Sequence, residues 1–354
     1  MSVAPHTYSN KLFNKKVLII GPLPPPMGGV SIHIERVTHT LKNQECSVYH
    51  FDSTMELRYR LFMLYWLYEL AYMLWCWPDE IHFHTLYLCN VRQELWLLRM
   101  AKKLFCIRLV LIEHDCRHLY KRTTAFKRAL KRLIDRADLM VLIGSKTLES
   151  YKDAQLYTFS MRCESAFLPP DSASRTLTQD EYPQTVLAFI AQKKPLIAAT
   201  AFAPVLIDGK DLYGFDLALA LVHALKGEFP DLGLIIMVAR TDTDYAQQVF
   251  ALIADYQLES HVYMLSGNYR AWPLIEKSDL FIRPTRSDGM SVSIEEALYF
   301  KGPVVASDVC ERPAGVHLFK AGDSSDCILK VRACLYEQSH INPKRYHLYA
   351  QSTR

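Results

Sequence analysis

The sequence carries almost no surplus of charge: 41 Lys and Arg face 37 Asp and Glu, a formal net charge of +4 over 354 residues. That balance leaves no electrostatic footprint for a nucleic-acid partner. Cysteine occurs nine times, yet never as C-x-x-C and never at zinc-finger spacing. Reduced thiols in a cytoplasmic protein are therefore expected, not a disulfide framework. The opening "MSVAPHTYSNKLFNKK" lacks the apolar core of a signal peptide. Repeats of short period and low-complexity tracts are missing, and the first glycine loop is not G-x-G-x-x-G, which weakens a dinucleotide site even though Asp52 ends the second candidate strand. Long apolar runs are scarce as well. The longest aromatic one, "LFMLYWLYELAYMLWCW" at residues 61–77, is shorter than the ~20 residues of a membrane span and has Glu69 at its middle. It reads either as a helix buried against an N-terminal sheet or as a partly exposed face that meets lipid.

Half of the residues are apolar and 22% are charged, the composition of a folded globular protein, and the length exceeds what one core usually supports. Short apolar runs alternate with stretches of helical spacing. "KVLIIG", "CSVYHFD", "EIHFHT", "IRLVLIEHD", "ADLMVLIGS" and "SAFLPP" are candidate strands of a first sheet. After a connection rich in Pro, Ser, Thr and Asp, "PLIAATAF", "LGLIIMVA", "HVYML", "DLFIRPT" and "PVVASD" supply a second. Strands alternating with helices predict parallel sheets covered on both faces. The expected fold class is α/β: two doubly wound, Rossmann-like domains, residues 1–180 and 181–354, facing a cleft at the carboxyl ends of their strands.

Candidate site residues lie just after strands. In "GPLPPPMGG", Gly28 and Gly29 precede a helix; they either admit a phosphate to backbone N–H groups or serve only the dihedrals of a Pro-rich turn. "SDGMSVSIEEAL" repeats this arrangement. Gly289 permits a tight turn, and the N–H groups of Met290, Ser291 and Val292 sit at a helix N-terminus. Glu296 lies about a turn into that helix, where a carboxylate can accept two hydrogen bonds from a ribose diol. The plainer alternative is a cap from Asp288 or Ser291 with Glu296 solvated. His114 follows a strand and, on its own residues, reads first as a buried histidine bonded to backbone. His82, His84 and His114 show no metal-site spacing, so no metal is expected. In residues 121–136, Lys127 and Lys131, like Arg128 and Arg132, repeat at i and i+4 beside Phe126, Leu130, Leu133 and Ile134. That pattern suits an anionic membrane surface or a solvated helix face.

The segment "SDLFIRPTRSDGMSVSIEEALYFKGPVVASDVCERP" resembles the donor-binding segment of the retaining family 4 glycosyltransferases of the GT-B fold. Those enzymes carry a Glu-x7-Glu signature running into "EA" and then "GPVVASD"; here Asp288 stands for the first Glu and Glu296 for the second. "VLIIGPLPPPMGGVSIHIERV", "DEIHFHT" and "LVLIEHD" resemble the N-terminal half of the same enzymes, whose active-site histidine corresponds to His114. The resemblance implies retaining, metal-independent sugar transfer from a nucleotide diphosphate sugar to a glycan or lipid-linked acceptor in bacterial polysaccharide biosynthesis. No cofactor beyond the donor is implied, and the enzyme would be cytoplasmic or peripheral at the inner membrane face. Glu296 would hold the ribose, Asp288 the sugar hydroxyls, and His114 would approach the donor sugar from the opposite domain. Where the family shows an Arg and a Lys-Gly pair, this chain has "TAFAPVLIDGKDLYGFDL" with Tyr213 before Gly214. Lys210 is then the nearest phosphate cation, with Arg240 behind it. A nucleotide-sugar epimerase of the same architecture and a non-catalytic glycan- or nucleotide-binding partner are the alternatives.

Overall fold

The computed structural model describes residues 14–24, 28–52, 62–84, 98, 100, 102–103, 106–114, 119, 122–170, 181–288 and 291–341. The chain divides into two compact units that part between Leu168 and Pro169, with Gly28 grouped with the second. Residues 171–180, beside the expected boundary, lie outside the described residues.

In the first unit, strands β1 (Lys16–Ile20), β2 (Ser47–Phe51), β3 (Glu80–His84), β4 (Arg108–Glu113), β5 (Leu139–Ile143) and β6 (Met161–Glu164) form one sheet in the order β2-β1-β3-β4-β5-β6. Every pairing is parallel. Strands such as "LVLI" and "LMVLI" are apolar throughout because both faces are covered. Period-two alternation sends Val17 and Ile19 to one face, under Ile34, Val37 and Leu41 of helix α1 (Gly29–Asn43). Leu18 and Ile20 go to the other face, with Met73 and Cys76 of α2 (Phe62–Cys76), Leu130 and Leu133 of α3 (Thr124–Ile134), and Tyr151 of α4 (Ser145–Asp153). Helix α3 starts where the Thr123 hydroxyl accepts the Phe126 N–H at 3.2 Å, a standard N-cap.

The run "SAFLPP", expected as a strand, is not one; the sixth strand lies just before it, at Met161–Glu164. Ala166, Phe167 and Leu168 are buried as that expectation requires. The carbonyls of Ala166 and Leu168, however, are taken by side chains of α1: His33 Nδ1 donates to the Ala166 oxygen at 2.7 Å and Arg36 Nη1 to that of Leu168 at 2.9 Å. Buried backbone must be satisfied, and side chains here replace a ladder.

In the second unit, β7 (Leu196–Ala201), β10 (Gly233–Val238), β11 (Val262–Ser266), β12 (Leu280–Arg283), β13 (Val304–Ser307) and β14 (Val316–Phe319) form a sheet in the order β11-β10-β7-β12-β13-β14. A small hairpin, β8 (Leu206–Ile207) and β9 (Lys210–Asp211), stands apart. Helices α5 (Gln184–Gln192), α6 (Phe215–Leu225), α7 (Asp244–Asp255), α8 (Trp272–Lys277), α9 (Val292–Tyr299) and α10 (Ser324–Ile341) complete the unit. Alternation again divides the core, Ile197 and Ala199 packing with α6 and α10 while Ala198 and Phe281 pack with α5, α8 and α9.

Helix α2 is buried on one side and exposed on the other. Met73 and Cys76 enter the core, while Tyr68, Leu74, Trp75 and Trp77 are exposed, Trp75 by 71%. Among the described residues no helix is long and apolar enough to cross a membrane.

In the first sheet β2 and β3 flank β1 on opposite sides; in the second, β10 and β11 extend to one side of β7 and β12 pairs on the other. The switch falls between β1 and β3 in one unit and between β7 and β12 in the other. Crevices open outside the carboxyl ends of strands at such points.

Candidate functional site

At the first switch point β1 is followed by Gly21. A Cβ there would lie 2.6 Å from Ile34 Cδ1 and 3.0 Å from His84 Cβ, so glycine lets α1 and the end of β3 close over the strand. Three histidines gather beside it: His33 from α1, His84 from the last position of β3, and His114 directly after β4. His84 Nδ1 and His114 Nε2 share a hydrogen bond of 3.0 Å. The His33 and His114 rings meet edge to face at 4.8 Å, and those of His84 and His114 stack at 5.3 Å. A carbonyl can only accept, so His33 Nδ1 carries the proton given to Ala166 and Nε2 is the lone-pair nitrogen of the neutral ring. Burial lowers the His33 pKa to about 4. Burial, then the neighbouring histidines, holds His84 and His114 well below the ordinary range. All three are neutral at pH 7.

The expectation of no metal site considered His82, His84 and His114 by spacing, and the folded cluster has a different membership. His82 instead meets Glu80, Nε2 to Oε2 at 3.2 Å. One ligand nitrogen each from His33, His84 and His114 lies within 4.8 Å of the others. Spacing could not reveal this, because the three come from a helix, a strand and the residue after another strand, which only the sheet order brings together. Gly29 opens α1 with neither a positive φ nor a described neighbour within 4 Å of a built Cβ. The protein's own packing therefore does not require glycine there.

The second switch point gathers charge. Arg283, the last residue of β12, forks onto Asp288, Nε to Oδ2 at 3.0 Å and Nη2 to Oδ1 at 3.1 Å. Its Nη1 donates to the Thr200 carbonyl of β7 at 2.7 Å, and its guanidinium lies 5.5 Å from the centre of the Tyr213 ring. Arg312 approaches Asp288 as well, Nη1 to Oδ2 at 2.8 Å, while Nε donates to the Ser307 carbonyl at 3.1 Å. The Arg312 side chain is 2% exposed, and its Nη2 has no hydrogen-bond partner among the described residues. Burial alone would raise the Asp288 carboxyl, but Arg283 and Arg312 hold it below its ordinary value. Three guanidinium N–H groups already engage the Asp288 carboxylate. Two cations and one anion leave this buried cluster net positive.

Around it the backbone is fixed by a second carboxylate. Asp211 accepts from the N–H groups of Tyr213, Gly214 and Asp216 and from the Tyr245 hydroxyl, all at 2.9–3.0 Å. Gly214 has φ +73, and a Cβ there would collide with the Pro284 carbonyl. Arg286 forks onto Asp216 at 2.8 and 2.7 Å. Ser291 and Glu296 are buried where α9 begins at Val292. Gly289 and Met290 lie outside the described residues. Lys210 is exposed on the hairpin, and Arg240 is exposed and paired with Asp242 at 2.7 Å. Sequence reasoning passed over His33, Arg283 and Arg312, although "RPT" and "ERP" were in plain view.

Residues 209–322 match the family described as glycosyl transferases group 1. They form a glycosyl transferases group 1 domain. That domain contains Asp211, Tyr213, Arg283, Asp288, Glu296 and Arg312, and its enzyme class is glycosyltransferase. Among solved structures, the chain is similar to Anabaena HepE in complex with UDP-glucose (14% identity, 94% of this chain and 96% of that one, TM-score 0.63). A glycosyltransferase from Rickettsia africae is similar at 11% identity, with 94% of each chain covered and a TM-score of 0.66. So is a sucrose-phosphate synthase from Thermosynechococcus elongatus (13% identity, 92% of this chain and 91% of that one, TM-score 0.61). The shared fold is GT-B, with two parallel-sheet, Rossmann-like α/β units. No curated protein sequence matches the chain.

Proposed function

We propose that the chain is a retaining glycosyltransferase that moves a sugar, without a metal, from a nucleotide diphosphate donor to a glycan or lipid-linked acceptor in polysaccharide assembly. The observation that carries this is Arg312 Nη2, a buried cationic donor lacking an acceptor, beside a carboxylate already held by two guanidiniums. A diphosphate oxygen supplies the missing acceptor. Transfer builds negative charge on the leaving diphosphate, and prepositioned cations stabilise that charge most where water is excluded. Arg283 and Arg312 take the place of the phosphate cation expected at Lys210. Asp288 positions both of them, Glu296 accepts from the ribose, and the N–H groups at Ser291 and Val292 face the phosphates. His114, neutral at pH 7, serves a hydroxyl of the donor sugar.

Peripheral attachment to an anionic membrane belongs to the same proposal. The apolar side of α3 is consumed by the core through Leu130, Leu133 and Ile134, leaving Arg128 and Arg132 exposed and Lys127 and Lys131 half-buried. Helix α2, with Trp75 exposed on it and Trp77 exposed just beyond its end, covers the same face of the first sheet. Charge and aromatic surface together suit an interface.

Calorimetric titration with a panel of nucleoside diphosphates and their sugars tests the donor site. One or more should bind, and Arg312→Lys, which keeps the charge but loses the fork, should weaken that binding by about tenfold or more. Transfer should persist in EDTA, and NMR should show the donor's anomeric configuration in the product. No binding across the panel, equal binding by the variant, or an inverted product would overturn the corresponding part.

A further inference from the structure

Three imidazoles from three separate parts of the chain converge at the first switch point. We propose that His33, His84 and His114 bind a divalent transition-metal ion of the zinc class. His84 Nδ1 and His114 Nε2 are already 3.0 Å apart, and all three ligand nitrogens lie within 4.8 Å of one another. Zinc–nitrogen bonds of about 2.0–2.1 Å in a tetrahedron place ligands roughly 3.3 Å apart. Side-chain adjustments of about an ångström close the set.

The supporting contact has the form that metal-bound histidines use: His33 donates Nδ1–H to the Ala166 carbonyl at 2.7 Å, which orients the ring and fixes Nε2 as its lone-pair nitrogen. All-imidazole ligation selects zinc, cobalt, nickel or copper over magnesium and calcium, which demand oxygen. Three protein ligands leave a fourth position for water. When the ion enters, the hydrogen bond between His84 and His114 is replaced by one bond from each ring to the metal. The proton between them moves to the other nitrogen of its own ring, so three neutral rings remain neutral and no proton need leave. This site stands independently of sugar transfer. Its consequence for activity rests on the role proposed for His114: an ion holding that ring competes with the donor sugar, so zinc inhibits an enzyme that needs no metal.

Titration of the full-length, chelator-stripped protein with Co2+ tests the site. One equivalent should produce the visible d–d absorption of four-coordinate cobalt, displaced by Zn2+, and Zn2+ should raise the thermal midpoint by mass action. His33→Gln and His84→Gln should each weaken Co2+ binding by at least about tenfold. A His33→Gln protein with an unchanged far-UV spectrum serves if His84→Gln fails to fold. No cobalt band, or a band indifferent to both substitutions, overturns the site. Cobalt binding with turnover unaffected by Zn2+ overturns the competition. Failure to bind any nucleotide sugar, with cobalt binding intact, overturns the proposed transferase and leaves the metal site standing.

Discussion

At the first switch point three imidazoles are buried and kept neutral, whereas at the second two guanidiniums and a carboxylate are nearly as buried and kept charged. Both lie at the carboxyl ends of parallel strands, so backbone topology does not account for the difference. Side-chain chemistry does. A neutral ring needs only hydrogen bonds when water is removed, and the histidines find them in one another and in the Ala166 carbonyl. A guanidinium needs a counter-charge, and the sequence supplies one acid for two of them, leaving a positive remainder suited to an anionic ligand.

The largest expected effect breaks the second cluster. Asp288→Ala leaves Arg283 and Arg312 facing each other in a buried site, and removing one member of such an arrangement costs about 3–5 kcal/mol. Urea unfolding followed by circular dichroism should show that loss, whereas a change below about 1 kcal/mol would mean the cluster is wetter than its geometry implies.

Acid should separate the two clusters. Above pH 6.5 His33 is neutral in both folded and unfolded chains; between 6.5 and its folded value of about 4 the unfolded chain takes up a proton that the buried ring refuses. Stability therefore falls as pH falls through that window, by about 3 kcal/mol from this histidine alone in the metal-free protein. The Asp288 carboxyl, also lowered, makes stability fall with pH in the same sense but in a more acidic window. Its contribution is full above the ordinary value near 4 and is lost only as pH drops through the depressed folded value. Hydrogen exchange along an acid series should show the first unit opening at higher pH than the second; simultaneous opening would contradict the contrast.

Two glycines sharpen the comparison. Gly214→Ala meets a backbone carbonyl and a left-handed φ, whereas Gly21→Ala meets the tip of Ile34 and the Cβ of His84. A left-handed alanine alone costs about 1–2 kcal/mol, so Gly214→Ala should lose about 2 kcal/mol or more. Gly21→Ala, where the nearest obstacle is a side-chain end, should lose about 1 kcal/mol. Thermal midpoints of the two variants would rank them.

Glu296→Gln comes next. If the carboxylate accepts from a ribose, nucleoside diphosphate affinity should fall about tenfold, the scale of a charge-assisted hydrogen bond made neutral. Unchanged affinity in calorimetry would reduce Glu296 to a structural acid.

The fold was largely legible because it is written in local periodicity: alternating strands and helices recover five strands of each sheet, missing β6 and β14, and "GPVVASD" falls where β13 lies. Residues 165–170 misled because burial and β-propensity are present there, while the deciding contacts come from His33 and Arg36, more than a hundred positions away. Helix α5 was hidden for the opposite reason. "TVLAFIAQ" adjoins a stretch whose Pro, Ser and Asp content reads as a connection. Site residues after strands were legible one at a time, but their partners were not. Asp288 was visible as an acid and invisible as the clamp on Arg283 and Arg312, because pairing across β12 and the loop after β13 follows from sheet order, which no short window contains.

The smallest expected effect decides where the positive charge of the second switch point resides. Lys210 is the cation that sequence alone offers to a phosphate, and it sits on a two-residue strand with its side chain in water. A surface substitution there should change stability by no more than about 0.5 kcal/mol. If Arg283 and Arg312 carry the diphosphate, Lys210→Ala should also change nucleoside diphosphate affinity by less than about twofold, because an exposed ammonium is strongly hydrated and screened by salt. If Lys210 carries it, the loss should approach the roughly 1.5–3 kcal/mol of a charged hydrogen bond, about tenfold to a hundredfold in affinity. Measuring Lys210→Ala and Arg312→Lys at two ionic strengths separates these outcomes. A buried fork should lose affinity on substitution at both, whereas a solvent-borne contact should fade in high salt even in the unaltered protein.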